Sequence, residues 1–589
     1  MSWNLHQHLG LYIRYLWCRV MNKCSTMALK WVMMCVGMLL FSGGGAFAQF
    51  AGGSGTSDDP YLIQSAIQLD SLRAYPNACF RQISDIDLND YPDSTGDGWV
   101  PLCSFSSPFT GSYDGNGMRI LNLSSSAMHN VRGLFAVIDG AEIRNLELND
   151  FQINNGNSLG GLAGVARNSL VTGIRAYGTI FGNDIVGGIA GEIQNCVVSD
   201  CELDFFLYAH EAGGGVGGWV TSSQISNCSV SFSYGYMYYN FGGIVGYAVN
   251  THISSCTVSG EMFGGSKSGG IVAEMIGGTV TNCHTLGGAL QAGGPVGGIV
   301  GEAFGTGIAD CSSSLFIRGH SQTGGAVGFL NAGASMSRCS AWGDVEGRGK
   351  TGGLIGTLTN SYAIDSFSRG NVSADHWSGA QSAGGFVGLI SGTNYGILNC
   401  YSTGLVTSTG VNTGGFSGEG SSASVHSSYW DMESSGCSTS FAGLGRTTAQ
   451  MTWPYDQDTY QGWNFSGIWH HDLQYGQGGY PLLLYSGVDI SDPHTPPAQP
   501  KRIDVAPNPF REHTEISFDL PRRGLLQVEI FDLRGRKVRT LIDGTSAAGK
   551  HTSVWDGRND DGKKLASGVY LVRVIYGAVT SIRRLTLLK

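Results

Sequence analysis

Between residues 131 and 427 the apolar positions follow neither a helical stripe nor one long run. They gather in two or three short stretches of Val, Ile, Ser and Thr per unit, separated by Gly, Asn and Ser. Each stretch reads as a strand bounded by turns. One pattern recurs through them: a Gly-Gly pair, two apolar residues and usually another Gly. Copies run from Gly160-Gly161-Leu162-Ala163-Gly164 and Gly187-Gly188-Ile189-Ala190-Gly191, through Gly242, Gly297, Gly324 and Gly352, to Gly384-Gly385-Phe386-Val387-Gly388. Looser copies begin at Gly217, Gly269 and Gly414, and a degenerate one at Gly133. Nine steps separate Gly160 from Gly414, so the period is close to 28 residues.

A second signal keeps step with the first. Cys201, Cys228, Cys256, Cys283, Cys311 and Cys339, each closing a segment such as Ile225-Ser226-Asn227-Cys228, are spaced by 27, 28, 27, 28 and 28 residues. Phe367 is expected in the same slot one turn later, and Cys400 after a turn with an insertion.

This period excludes propeller blades of about 40 to 50 residues, and the leucine-rich pattern is missing. Coiling the chain so that each unit makes one turn stacks every strand on its own image. The prediction is an all-β fold, a right-handed parallel β-helix (solenoid) of about 28 residues per turn. Eleven turns at about 4.8 Å give a rod about 50 Å long. The Gly pairs are expected to supply positive φ at a corner and close backbone approach. Cysteine behaves as a small buried hydrophobe, so the column of Cys201, Cys228, Cys256, Cys283, Cys311, Cys339 and Cys400 is read as an internal ladder of free thiols. Cys79 and Cys103, outside the column, are the better candidates for a disulfide.

A solenoid must cover its end strands. At the N-terminal side, Ser65-Ala66-Ile67-Gln68 reads as a capping box opening a short helix with Ile67, Leu69 and Leu72 on its apolar face. Past the last repeat the period fades and Tyr429, Trp430, Trp453, Tyr460, Trp463, Phe465, Trp469 and Tyr480 suggest a second lid. The chain then divides into a leader (1–48), an N-terminal cap with the first turns (49–130), the repeats (131–427), an aromatic cap (428–486), a Pro-rich linker (487–502) and a tail (503–589). Alternation in Glu515–Leu520, Leu526–Phe531 and Val569–Val574 predicts a small antiparallel β-sandwich for the tail.

Composition sharpens this picture. The 91 glycines among 589 residues, with only 15 prolines, exclude collagen, and the 24 Tyr, 25 Phe and 12 Trp argue against disorder. The net charge of −10 divides into +4 over residues 1–48, −21 over 49–500 and +7 over 501–589. An acidic body argues against nucleic acid as a partner. From Met27, one Lys, an apolar run from Trp31 to Phe41 and Ala46-Phe47-Ala48 read as a secretory signal peptide cut after Ala48. That run is too short to span a bilayer, so no transmembrane helix is expected in the mature chain.

The Gly-Leu-x-Gly units resemble GLUG repeats, found in large bacterial surface proteins and in some IgA-specific metallopeptidases. Asp58-Asp59-Pro60-Tyr61-Leu62-Ile63 and Phe109–Gly117 are similar to the segment that often precedes them. The peptidase relatives carry His-Glu-x-x-His, whereas His210-Glu211 is followed here by Ala212-Gly213-Gly214. In the tail, Pro507-Asn508-Pro509-Phe510, Asp532–Arg536, Trp555-Asp556-Gly557 and Ala566–Tyr570 resemble the C-terminal sorting domain of the type IX secretion system. The turn Asn559-Asp560-Asp561-Gly562 is closer to the flagellar-hook-capping immunoglobulin-like version. The resemblance implies the type IX machinery as a partner of residues 503–589, and a secreted or outer-membrane-associated protein.

Candidate chemistry on the rod is sparse. Glu192, Glu274, Glu302 and Glu419 each follow the last position of the Gly motif and are read as solvated surface. Asp375-His376-Trp377 sits in an insertion, and the Asp93–Asp97 loop lacks calcium-loop spacing. Trp219, Tyr236, Tyr238, Tyr239 and Trp377 are candidate binding residues for a carbohydrate or protein ligand. Packing of such rings inside, or on each other, is the favoured alternative. The expectation is a non-enzymatic surface repeat protein for adhesion or envelope interaction, with no cofactor and no metal. A polysaccharide-acting β-helix enzyme is the competing reading.

Overall fold

The computed structural model describes residues 49–91, 98–125, 130–374, 381–409, 412–471, 478–484, 501–520, 524–532, 536–546, 549–560, 562–576 and 579–588. The leader, the Asp93–Asp97 loop, Asp375-His376-Trp377 and most of the Pro-rich linker lie outside these residues.

The earlier full turns of the repeat region carry four strands, where the sequence suggests two or three, and from Ser312 on the fourth is split in two, as in Ser312–Ser313 and Phe316–Gly319. In one turn they are Ile185–Gly187, Ala190–Gln194, Val197–Ser199 and Glu202–Ala209. All pair in parallel with their images in the next turn. The stacks form four sheets, here numbered 1 to 4 in chain order within a turn; sheets 1 and 2 have eleven strands each and sheet 3 has fourteen. Two left-handed residues per turn, Asn195 (φ 53°) and Asp200 (φ 58°), frame the short strand of sheet 3 and split what reads as one stretch. Asn168, Asn250 and Asn360 repeat the first corner, and Asn227, Asn282, Asp310 and Asn399 the second. Asn and Asp tolerate this conformation better than other side chains.

The Gly pairs do something different from what was expected. None of them has positive φ; their role is close approach. A Cβ on Gly187 would lie 2.0 Å from the Ala190 carbonyl oxygen, and one on Gly188 2.3 Å from that of Gly215. Sheets 1 and 2 press together at this bend, and no side chain fits between them.

The interior is filled by in-register columns. Val198, Ile225, Ile253, Val280, Ile308 and Met336 stack through sheet 3, all buried. Cys201, Cys228, Cys256, Cys283, Cys311, Cys339 and Cys400 are buried free thiols, and each S–H donates to the carbonyl two residues earlier, as from Cys201 to Ser199 at 3.2 Å. Burial pushes the Cys400 thiol up, keeping it un-ionised. The expected slot for Phe367 is off by one. Ser340 pairs with Phe367 and Phe367 with Tyr401, so Ser366 and Ser428 continue the column, their hydroxyls accepting from the Cys339 and Cys400 amides. Cys79 and Cys103 are free as well. Cys79 begins a strand of sheet 3, whereas the neighbour of Cys103, Leu102, bridges to Phe135 of sheet 2.

The N-terminal helix spans Ala66–Ser71 and is capped by Ser65, whose hydroxyl accepts from the Gln68 amide. Gln68 in turn accepts from the amide of Gln64, one residue earlier than a capping box requires. Ala66, Leu69 and Leu72 face the core; Ile67 is exposed, because only the former three share a face at helical spacing. At the other end the aromatic cap lies against the outer side of sheet 4. Phe367, Tyr401 and Tyr429 form an outward ladder buried under Met451, Tyr460, Trp463 and Trp469. The guanidinium of Arg369 lies over the rings of Trp342, Phe367 and Tyr480 at 5.0, 5.3 and 5.2 Å.

The tail folds as an antiparallel sandwich. Strands Lys501–Ala506, Thr514–Leu520 and Gly549–Trp555 form one sheet; Lys537–Ser546, Gly524–Asp532, Gly568–Tyr576 and Val579–Leu587 form the other. Ile516, Phe518, Val528, Trp555 and Val572 fill its core.

Candidate binding surface

Sheet 4 carries the longest strands of the early turns: Arg175–Phe181, Glu202–Ala209, Ser229–Met237 and Thr257–Gly264. Successive side chains alternate between its faces. In Glu202–Ala209 the inward set is Leu203, Phe205, Leu207 and Ala209, all buried, which leaves Glu202, Asp204, Phe206 and Tyr208 outside. A register shift between Phe205 and Phe206 against the following strand sets Tyr234 opposite Phe206.

Because the register holds from turn to turn, the outward rings stack along the rod. Phe206 lies on Tyr234 (5.4 Å between centroids, 17° between planes), Tyr208 on Tyr236 (5.5 Å, 10°), Tyr234 on Phe263 (5.1 Å, 29°) and His210 on Tyr238 (4.9 Å, 7°). Phe181 closes one end against Phe206, and Tyr239 stands edge-on to Tyr238. The raft is open: Phe181 is 41% exposed, Tyr208 39%, Tyr238 52%. Its border is acidic. Burial and the carboxylates of Glu202, Glu147 and Asp204 push the Tyr177 phenol up.

The same column changes character beyond Phe263. Its next members are Gln291, Arg318, Glu346 and Ser373, and Arg318 pairs with Glu346 at 2.8 Å. The exposed rings are therefore confined to a few turns and are not a requirement of the coil.

Of the five sequence candidates, Tyr236, Tyr238 and Tyr239 belong to this raft. The rings pack on each other, one of the alternatives considered, but outside the rod. Trp219 lies on sheet 2, edge-on to Tyr247 at 5.2 Å, and is separated from the raft by sheet 1. Trp377 is outside the described residues. Phe181, Phe206, Tyr208, His210 and Phe263 were missed, although Tyr208 stands one repeat before Tyr236 and alternation in Glu202–Ala209 points it outward.

Of the carboxylates following the Gly motif, Glu274, Glu302 and Glu419 are paired rather than freely solvated. Lys267 bridges Glu274 at 2.8 Å and Glu302 at 2.7 Å, and Glu302 is buried. Burial works against the Lys267 charge, but its bonds to both carboxylates outweigh that and hold the ammonium above the ordinary lysine range. Glu419 pairs with Lys350. Among the described residues no three His, Cys, Asp or Glu side chains are grouped to hold a metal ion, and no helix is long and apolar enough to cross a membrane.

The GLUG motif matches residues 237–261, within the turns that bear the raft, and the FlgD Ig-like domain matches residues 511–578. A Gly-rich membrane protein of Evansella cellulosilytica is 42% identical over 103 residues, 17% of this chain. Halomucin of Haloquadratum walsbyi is 35% identical over 120 residues, 19% of this chain. The chain spans only 12% and 1% of the lengths of these two relatives. Among solved structures, an immunoglobulin A1 protease from Bacteroides ovatus aligns over 74% of this chain and 96% of its own at 18% identity, with a TM-score of 0.21. PorZ of Porphyromonas gingivalis, a surface component of the type-IX secretion system, aligns over 19% of this chain and 14% of its own at 22% identity, with a TM-score of 0.13.

Proposed function

We propose that this protein is an exported, non-enzymatic surface rod for adhesion or envelope interaction, whose tail directs type IX secretion and anchoring. The observation that carries the reading is the outward aromatic raft, left open over a few turns of sheet 4, whose column turns polar beyond Phe263. Soluble repeat proteins rarely leave such a patch open without a partner for it. The names of the two relatives, a membrane protein and a halomucin, support a place at the cell surface, and the FlgD Ig-like tail supports a separate delivery unit. The competing enzyme reading would draw on the cluster of Glu274 and Glu302 around Lys267, in which Glu302 is buried. Fractionation and protease shaving of cells expressing the chain with and without residues 503–589 test the proposal. Surface exposure that depends on the tail supports it; exposure that survives the deletion overturns the sorting role. Release of reducing ends from a polysaccharide panel overturns the non-enzymatic role.

A further inference from the structure

We propose that the raft holds a linear, uncharged polysaccharide lying along the rod axis, in the furrows between columns of rings. The inference rests on reading the rod as a ligand-presenting surface, and three observations choose the ligand. The rings stack face to face along the axis, so their faces are largely used and their edges point outward. Ring edges are electropositive, which favours oxygen atoms over ammonium groups and argues against a cationic partner. The flanking carboxylates of Asp204 and Glu211 repel an anionic polymer and accept hydrogen bonds from hydroxyls, while Glu202 is paired with Arg175 at 3.4 Å. The phenol oxygens of Tyr208, Tyr234, Tyr236 and Tyr238 bond to no other described residue, leaving a row of free hydroxyls along the rim.

The other aromatic ladder on the same sheet shows the contrast. Around Phe367, Tyr401 and Tyr429 the polar atoms are satisfied by the covering segment: Tyr401 donates to the Pro481 carbonyl at 2.6 Å and Trp469 to Asp365 at 3.2 Å. Of these two ladders of sheet 4, one is covered by its own chain and the other is left with open hydroxyls.

Affinity electrophoresis of the full chain in gels containing mixed-linkage β-glucan, xylan, mannan or alginate, with a pull-down on microcrystalline cellulose, tests this. Binding to at least one neutral polysaccharide, weakened about tenfold in Tyr208→Ser/Tyr236→Ser, is the expected result. Tyr208→Phe/Tyr236→Phe, which keeps the stack and drops the hydroxyls, is expected to fall between parent and serine variant. Arg318→Ala/Glu346→Ala, beyond the raft, is expected to bind like the parent. Circular dichroism checks that each variant keeps its β-signal. Binding only to alginate, binding to none of the neutral polymers, or a serine variant that binds like the parent overturns the proposal. So does self-association in sedimentation that the serine variant abolishes, because a second copy is then the occupant. Surface exposure is read separately by shaving, so a surface-exposed protein that ignores every neutral polymer defeats this proposal and leaves the surface role standing.

Discussion

Two aromatic ladders stand on the outer side of sheet 4. Phe367, Tyr401 and Tyr429 are buried under residues of the C-terminal cap; Tyr208, Tyr236 and Phe263 are open. Their local rules are the same: parallel register, outward alternation, and stacking at about the rise of one turn. What differs is the partner. The covered ladder is a stabilising joint, with indole and phenol groups bonded across it, while the open one contributes to stability only through its neighbours in the stack. A patch of rings on a solenoid therefore cannot be assigned a role from its sequence alone; the role depends on what lies over it.

The most direct way to break the comparison is to strip the covered ladder. Trp469→Ala removes a fully buried ring and its bond to Asp365, and is expected to destabilise the protein by about 3–5 kcal/mol, read as a lowered denaturation midpoint or a separate early transition of the cap. An equal loss at the open ladder would erase the distinction.

Between the two ladders lies His284, buried in sheet 4, with Nδ1 2.8 Å from the Ser312 hydroxyl. Burial lowers its pKa to about 4. The unfolded chain takes up this proton near pH 6.5, so the folded state loses stability as pH falls from there toward 4. The expected loss between pH 7 and pH 5 is about 2 kcal/mol. His284→Gln should flatten that slope in denaturation curves measured at both pH values; an unchanged slope would assign the pH dependence elsewhere.

A smaller effect is expected inside the rod. Cys256→Ser places a hydroxyl in a column that already accepts serine at Ser366 and Ser428, so a cost of about 1 kcal/mol is expected, and thiol reagents should react with the parent ladder only after unfolding. The smallest effect belongs to the open raft: Tyr236→Ser, with its ring half-buried and stacked on Tyr208, is expected to cost about 0.5–1 kcal/mol, while ligand retention suffers far more.

The solenoid was legible because the Gly motif and the Cys column share a period, and any structure that repeats both must superimpose its coils. The four-strand turn was not legible, since its corners are single Asn or Asp residues inside stretches that otherwise alternate. That gap explains the misplaced Phe367. Without the corner at Asp365, Phe367 falls into the thiol slot. Lys267 was overlooked because it stands just before the sheet 1 strand Ser268–Gly269 while its partners stand on sheet 2, a pairing set by the bend at the Gly motif and invisible to spacing.

Since each coil touches chiefly the coil before and the coil after it, whatever is displayed on one level is nearly independent of levels further along. Excising a whole unit beyond Phe263, or copying one in, should shorten or lengthen the molecule while the raft stays as it is. Cutting half a unit should not be tolerated. The distance between a ligand on the raft and the aromatic cap is thus a dimension that can be lengthened or shortened in steps of one coil without redesigning either end.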